Sequence, residues 1–339
     1  MPITLQDVAQ KAGVSIKTVS RVVNEEKNVA EETRHQVLQT IQELGYVPHV
    51  QAQRLASGKT RSIVLHFPLS DPGLFSNLIG MDFITGVALA AAKEDYYFSL
   101  MTGSLTSGGL IKLCRGAQAD GLILMQITVQ DWRVEFLREN KFPFVMHGRC
   151  ANNDGLSFID LDFEHAMMEA YAHLTSLGHQ HIGFLTYPEE WRVKGLGPAV
   201  HTLQGFRAAV KKFNVTSPYR ECQQTVERAY WATRSLLKEN PRITAMVTVH
   251  NTQAVGAITA LQELNRKVPE DCSIVGVLVG NEGELIIPPL TSIEYSSHEI
   301  GHQVAEMLIR KIKGTSPGPE QILVRPELKL RRSTAPAPR

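Results

Sequence analysis

Residues 4–24 read Thr-Leu-Gln-Asp-Val-Ala-Gln-Lys-Ala-Gly-Val-Ser-Ile-Lys-Thr-Val-Ser-Arg-Val-Val-Asn, a pattern of two short helices joined by a tight turn. Thr4 is placed to cap the first helix, and Leu5, Val8, Ala9 and Ala12 fall on one apolar stripe. Gly13 stands where that helix must stop and the chain reverse, a position that favours left-handed backbone. Ser15 is a second cap, and Val19, Val22 and Val23 form the inward face of the second helix. Ser15, Ile16, Lys17, Thr18, Ser20, Arg21 and Asn24 are left facing out. Hydroxyls and amides suit phosphate contacts, and Lys17 and Arg21 have the reach for the acceptor edge of guanine in the major groove. This is a helix-turn-helix pattern with the second helix as reader.

Outward from this stretch, a third helix is expected over 31–44, with Val37, Leu38, Ile41 and Leu44 spaced to close a three-helix core. Glu31 and Glu32 suit the positive end of its dipole and Gly45 ends it. Residues 1–61 hold eight Lys/Arg and six Asp/Glu, a local net charge of 8 − 6 = +2. Affinity for a polyanion must therefore come from cations on one face and from pairing two such units, not from a bulk positive field. Pro48 opens another helical stretch to Ala56 at a position proline tolerates, and a helix that short is not stable alone.

The whole chain is 339 residues, 43% hydrophobic and 20% charged, which points to two or three folded units with a substantial core. No run of eighteen apolar residues is present and Met1 precedes a polar helix, so a cytoplasmic protein without membrane partners is expected. Cys114, Cys150, Cys222 and Cys272 have no paired spacing and read as reduced thiols. From Ile63 onward apolar runs alternate with helical patterns. Strands are expected at 63–67, 96–101, 122–125, 144–146, 156–159, 181–185, 245–249 and 273–277, and helices at 80–93, 166–177, 203–213, 230–238 and 252–264. Continuous apolar strands between helices predict parallel sheets covered on both faces.

The run from Leu5 to Asn24 resembles the N-terminal signature of the lactose-repressor (LacI/GalR) family of bacterial transcription regulators. The resemblance implies an N-terminal all-α helix-turn-helix headpiece over 1–47, then a hinge helix and linker over 48–61. An α/β periplasmic-binding-protein-like core of two doubly wound parallel-sheet lobes then spans 62–332. Lobe 1 is expected over about 62–161 and 292–319, lobe 2 over about 162–289 and 320–332, with a disordered tail at 333–339. The implied DNA-binding set is Thr4, Ser15, Ile16, Lys17, Thr18, Ser20, Arg21, Asn24, Tyr46, His49, Ala52, Gln53 and Leu55. Within it the Tyr46 hydroxyl contacts a phosphate, Ala52 lets two hinge helices pack across a dyad, and Leu55 is an apolar wedge in the minor groove. Gln53 stands where the family usually has Arg, with Arg54 beside it.

In the cleft between lobes the chain departs from the family pattern. Thr202 stands where an Arg is usual, His250-Asn251 replaces Asn-Asp, and Leu278 replaces an Asp that accepts from sugar hydroxyls. The expected effector contacts are Phe75, His147, Arg149, Asp160, Trp191, Thr202, His250 and Tyr295. Aromatic platforms with a few orienting polar groups suit a neutral carbohydrate. The expected function is a homodimeric repressor on a palindromic operator, using no cofactor and controlled by a small-molecule effector, a sugar. Loss of that control, or its transfer to a protein partner, is the alternative. His298-Glu299-Ile300-Gly301-His302 has the H-E-x-x-H form of a zinc hydrolase, but lacks a third ligand at a characteristic spacing and carries a helix-weakening glycine. His179 and His181 in Leu-Gly-His-Gln-His read as structural.

Overall fold

In a computed structural model, which describes residues 3–23, 28–46, 60–68, 78–116, 118–279 and 281–338, the chain begins with a reciprocal cap. The Thr4 backbone N–H donates to the Asp7 carboxylate (2.8 Å) and the Asp7 N–H returns to the Thr4 hydroxyl (3.4 Å) at the start of α1 (Leu5–Lys11). Gly13 takes the left-handed turn (φ 66°) that leads into α2 (Ile16–Val23). α3 (Glu31–Leu44) packs across both, and Val8, Ala9, Ala12, Val19, Val22, Val37 and Tyr46 form the core of this unit. Leu38, expected inside, is 49% exposed. Each residue turns the helix by about 100°, so a face built on Val37, Ile41 and Leu44 admits Thr40 instead. The Thr40 hydroxyl is satisfied by the Gln36 carbonyl at 2.9 Å.

Residues Ser62–Leu110 and Gly121–Arg339 form the second unit, two six-stranded sheets with helices on both faces. The first sheet has the order β11-β5-β4-β3-β1-β2 and is parallel throughout. Its strands are β1 (Ser62–His66), β2 (Tyr97–Met101), β3 (Gly121–Leu124), β4 (Phe144–His147), β5 (Phe158–Leu161) and β11 (Gln321–Val324). The second has the order β12-β10-β9-β8-β6-β7. It comprises β6 (Ile182–Thr186), β7 (Tyr219–Glu221), β8 (Ala245–Thr248), β9 (Ser273–Val279), β10 (Thr291–Glu294) and β12 (Glu327–Lys329), with only β12 antiparallel. β1, β3, β5, β6, β8 and β10 are buried along their whole length; β3 and β6 read as nearly unbroken apolar runs, whereas β10 (Thr-Ser-Ile-Glu) is buried although mostly polar.

The helices are α4 (Leu78–Lys93), α5 (Ser107–Arg115), α6 (Trp132–Glu139), α7 (Phe163–Ser176), α8 (Glu189–Val193), α9 (Gly197–Phe213), α10 (Val226–Glu239), α11 (Asn251–Glu263) and α12 (Ser297–Lys313). Among the described residues none is long and apolar enough to cross a membrane. The expected lobe boundaries shift. β10 pairs with β9 (Thr291 opposite Val275), so residues 291–294 stay in the second lobe; β11 pairs with β5, so 321–324 belong to the first. The chain therefore crosses between lobes after Leu161, after Glu294 and after Val324. The family resemblance implied earlier crossings near 289 and 319, but the segments that follow continue their own sheets. The tail is likewise ordered as far as Pro338, contrary to expectation. Its prolines alternate with residues that can still donate: Ala335 N–H reaches Ser273 Oγ (3.0 Å) and Ala337 N–H reaches the Leu177 carbonyl (2.8 Å). His179, fully buried, donates to the Ala335 carbonyl and accepts from the Thr244 hydroxyl, a structural role as read from the sequence.

α12 crosses α4 where Gly301 faces the Phe83 carbonyl and Gly86 faces the His298 carbonyl; a Cβ at either glycine would overlap that backbone. The glycine inside His-Glu-Ile-Gly-His is thus explained by helix packing. Gly301→Ala gains up to about 1 kcal/mol of helix propensity but forces two backbones apart. We expect a net destabilisation of about 1–3 kcal/mol, read as a lower urea midpoint; a midpoint at or above that of the parent would refute the close crossing.

Candidate functional site

On the first unit, the Ser15 hydroxyl caps α2 by accepting from the Thr18 N–H (3.1 Å) and bonds the Thr18 hydroxyl (2.9 Å). Ser15, Ile16 and Lys17 are exposed at the start of α2, and Thr18, Ser20 and Arg21 are half-buried beside them. The exposed residues expected to read DNA therefore lie in the first turn of the helix. Thr4 is engaged with Asp7, whose carboxyl it holds below the usual range by hydrogen bonding. The Tyr46 ring closes the core and is 7% exposed, so packing is its first role. Asn24, His49, Ala52, Gln53, Leu55 and Phe75 lie outside the described residues.

On the second unit, the C-terminal ends of the strands are where a parallel α/β sheet receives a ligand. At that edge of the first lobe, His147 ends β4 with its ring stacked on Phe83 (centroids 4.8 Å) and its Nδ1 donating to the Ile159 carbonyl (3.2 Å). Burial holds its pKa down to about 4. Arg149 Nη1 stands 3.2 Å from Asp160 Oδ2 and reaches the Leu161 carbonyl at the first crossover. Burial pushes the Asp160 carboxyl up to about 7, against the pull of Arg149.

At the second lobe's edge, Trp191 stacks on Tyr187 (centroids 5.5 Å, planes 16° apart). Tyr187 raises the question of Tyr295, which follows β10: burial and, after it, the proximity of Tyr295 push the Tyr187 hydroxyl pKa up. Glu282 acts on Tyr295 in the same way and accepts from Asn251 Nδ2 (2.9 Å). The expected Trp191 and Tyr295 thus share one wall with Tyr187 and Glu282, which sequence reasoning missed. His250 is the N-cap of α11; its Nδ1 accepts from the Thr252 N–H (3.3 Å), and burial lowers its pKa to about 4. Thr202 is fully buried on α9, and Leu278 is buried with φ 58°.

Five buried polar side-chain atoms have no hydrogen-bond partner among the described residues: Thr186 Oγ1, His201 Nε2, Thr202 Oγ1, Thr248 Oγ1 and Asn251 Oδ1. Thr186 and Thr248 are the last residues of β6 and β8, Asn251 begins α11, and His201 and Thr202 lie in the first half of α9. All belong to the ligand edge of one sheet. Buried polar atoms are normally paired, so their gathering at this edge marks where a polar ligand would complete them. Gln253 braces that edge, its Nε2 donating to the Thr186 carbonyl (3.0 Å) and its Oε1 accepting from the Val249 N–H (3.1 Å). Of the residues missed, Thr186, Tyr187, Thr248 and Asn251 share one signal, a position at or just after a strand's C-terminal end; His201, within α9, carries none.

Among the described residues no group of three potential ligands is placed to hold a metal. In the His-Glu-Ile-Gly-His segment Glu299 accepts from Gln303 (2.8 Å) and His302 Nδ1 lies 3.7 Å from Glu306.

A family model described as bacterial regulatory proteins, lacI family, matches residues 4–49, and one described as periplasmic binding protein-like domain matches residues 171–334. The HTH-type transcriptional regulator AglR of Rhizobium meliloti is 32% identical over 350 residues, covering 100% of this chain and 96% of that protein. A solved complex of the transcriptional regulator CelR with cellobiose superposes with a TM-score of 0.70 at 27% identity, covering 98% of this chain and 99% of that one. The fold also matches the Lac repressor dimer bound to operator and the anti-inducer ONPF, with a TM-score of 0.83 at 24% identity over 99% and 100% of the two chains.

His66, His147 and His250 are each held to about 4 by burial. Between pH 6.5 and 4 the unfolded chain therefore takes up protons at these sites that the folded chain refuses, and stability falls as pH drops through that window. Asp160 works the other way, since the folded chain holds its proton up to about pH 7. We expect the melting temperature to fall on acidification from pH 6.5 to 4. The slope should become shallower by about one proton in His250→Asn, which keeps an N-cap residue. An unchanged slope would show that His250 is not buried neutral.

Proposed function

The chain belongs to the lacI family of bacterial regulatory proteins, and from that premise we propose that it is a homodimeric, cytoplasmic repressor released from or tightened on its operator by a neutral sugar. The family's members are transcriptional regulators, not enzymes. What carries the reading is the wall of unpartnered buried polar atoms at the strand ends of the second lobe, combined in one chain with an exposed reader helix.

The character of that wall favours an uncharged ligand. Its unpartnered atoms are hydroxyls, an amide oxygen and a neutral imidazole. The nearby charges are already engaged, Arg149 with Asp160 and Glu282 with Asn251. The Tyr187–Trp191 stack supplies an apolar platform of the kind on which sugar rings lie. That CelR is solved with cellobiose agrees with a disaccharide or glycoside here.

Two-fold pairing is supported by apolar surface. Met81 and Leu89 on α4 and Tyr97 on the edge strand β2 are exposed in the first lobe, and Leu285 and Ile287 in the second are about four-fifths exposed (79% and 83%). A palindromic site requires a second copy as partner, and these exposed apolar side chains are the candidates for its contact. Binding of the effector would shift the equilibrium between lobe arrangements and hence the spacing of the paired reader helices.

Replacing Arg21 or Lys17 by Ala should cost about 1–3 kcal/mol of operator affinity and relax the preference at one position per half-site, as measured by selection from random DNA. An unchanged selected sequence in the double variant would remove these residues from the reader set. In a thermal-shift panel, neutral disaccharides or glycosides should raise the melting temperature and alter operator binding, while sugar phosphates should not. Stabilisation by sugar phosphates alone would overturn the neutral-ligand reading; stabilisation by nothing would transfer control to a protein partner.

A further inference from the structure

Between β3 and α6 the first lobe sends out a short loop that pairs with the loop joining α8 to α9 of the second lobe. Gly197 N–H donates to the Ile127 carbonyl (2.9 Å) and Val129 N–H donates to the Gly195 carbonyl (2.8 Å), with Thr128 and Leu196 facing each other as an antiparallel bridge. We propose that this bridge is a latch tying the two lobes, and that it couples occupation of the site beside Trp191 to the angle between them. The proposal rests on the reading of the interlobe edge as an effector site.

Both halves of the latch are held in shape. On the first lobe, buried Arg133 grips the loop from below: its Nε and Nη2 donate to Asp131 (2.9 and 2.6 Å), and Nη2 also donates to the Gln126 and Met125 carbonyls (3.0 and 3.2 Å). Its Nη1 donates to His66 Nδ1 (2.9 Å), whose Nε2 donates to the Gly103 carbonyl (3.0 Å). Asp131 takes the Thr128 N–H (3.2 Å) as well. The network satisfies its own members, and its product is a loop whose Ile127 carbonyl and Val129 N–H face the other lobe. On the second lobe, Gly195 turns with φ 72° and the Leu196 N–H returns to the Trp191 carbonyl (2.9 Å), so the latch and the aromatic platform move as one loop. Two ordinary backbone hydrogen bonds correspond to a shift of about 5-fold to 150-fold in an open–closed equilibrium, the range of typical allosteric couplings. Arg133 and Asp131 are positioning residues for this latch.

Gly197→Pro tests it. Proline is tolerated at the first helical position, and Leu196 already has the extended backbone (φ −60°, ψ 127°) that a following proline requires; the donor to Ile127 is removed and the ring takes its place against that carbonyl, so the bridge cannot form. In the full chain without ligand, hydrogen exchange of residues 127–131 should accelerate at least about 10-fold, although the substitution lies on the other lobe. Arg133→Lys should accelerate exchange at 195–197 in the reverse direction. A role confined to folding of the first lobe would leave 195–197 unchanged, and unchanged exchange across the cleft in both variants overturns the latch. With cellobiose as the probe, Thr128→Cys combined with Leu196→Cys should respond in operator binding when reduced and lose the response when oxidised. An equal response in both states would overturn the coupling. If cellobiose and the wider sugar panel leave the parent protein unaffected, the effector reading fails, and the exchange result alone decides the latch.

Discussion

The crossing of α4 and α12 at Gly86 and Gly301 is the contact on which the two-lobed core depends. α12 begins just after the second crossover and covers β3, β4 and β5 of the first sheet. Because bare backbone meets bare backbone there, the helix has one depth and one rotation available, and β11, which follows it, is delivered beside β5. The third crossover then leads directly into β12 on the second sheet. A side chain at either glycine would lift α12 and with it the last two connections between the lobes.

Polar groups follow a different logic at the two ends of the second sheet. At the end away from the ligand edge, His179, Ser273, Thr244 and the C-terminal residues complete one another's hydrogen bonds, and the tail is ordered because of it. At the ligand edge the same residue types, threonine and histidine, are buried without partners. Burying an unpaired hydroxyl or amide costs about 1–3 kcal/mol, so several together at one edge agree with the proposed effector site there. In the first lobe Arg149 faces Asp160 and Arg133 faces Asp131. Their geometries serve shape, one at the crossover and one beneath the loop that bridges the lobes.

The helix-turn-helix unit is held together locally, by two caps, a left-handed glycine and a small core of valines and alanines.

The sequence by itself determined the helix-turn-helix, because caps, turn glycine and the spacing of Val8, Ala9, Val19 and Val22 all act within a few residues of one another. It also determined the parallel sheets, since most strands buried on both faces are rich in apolar residues. The same local reading misplaced Leu38, where a one-residue rotation separates core from solvent. The lobe boundaries implied by the family resemblance fell a few residues early, because strand pairing carried the chain on in each sheet. The local reading also took an alternating Ala-Pro tail for disorder. Only the tertiary structure decided the cleft. Thr186 and Gln253 are 67 residues apart, as are His66 and Arg133. Which side chains meet across such distances, and which buried atoms are left without a partner, is set by sheet order and crossover positions that no local pattern encodes.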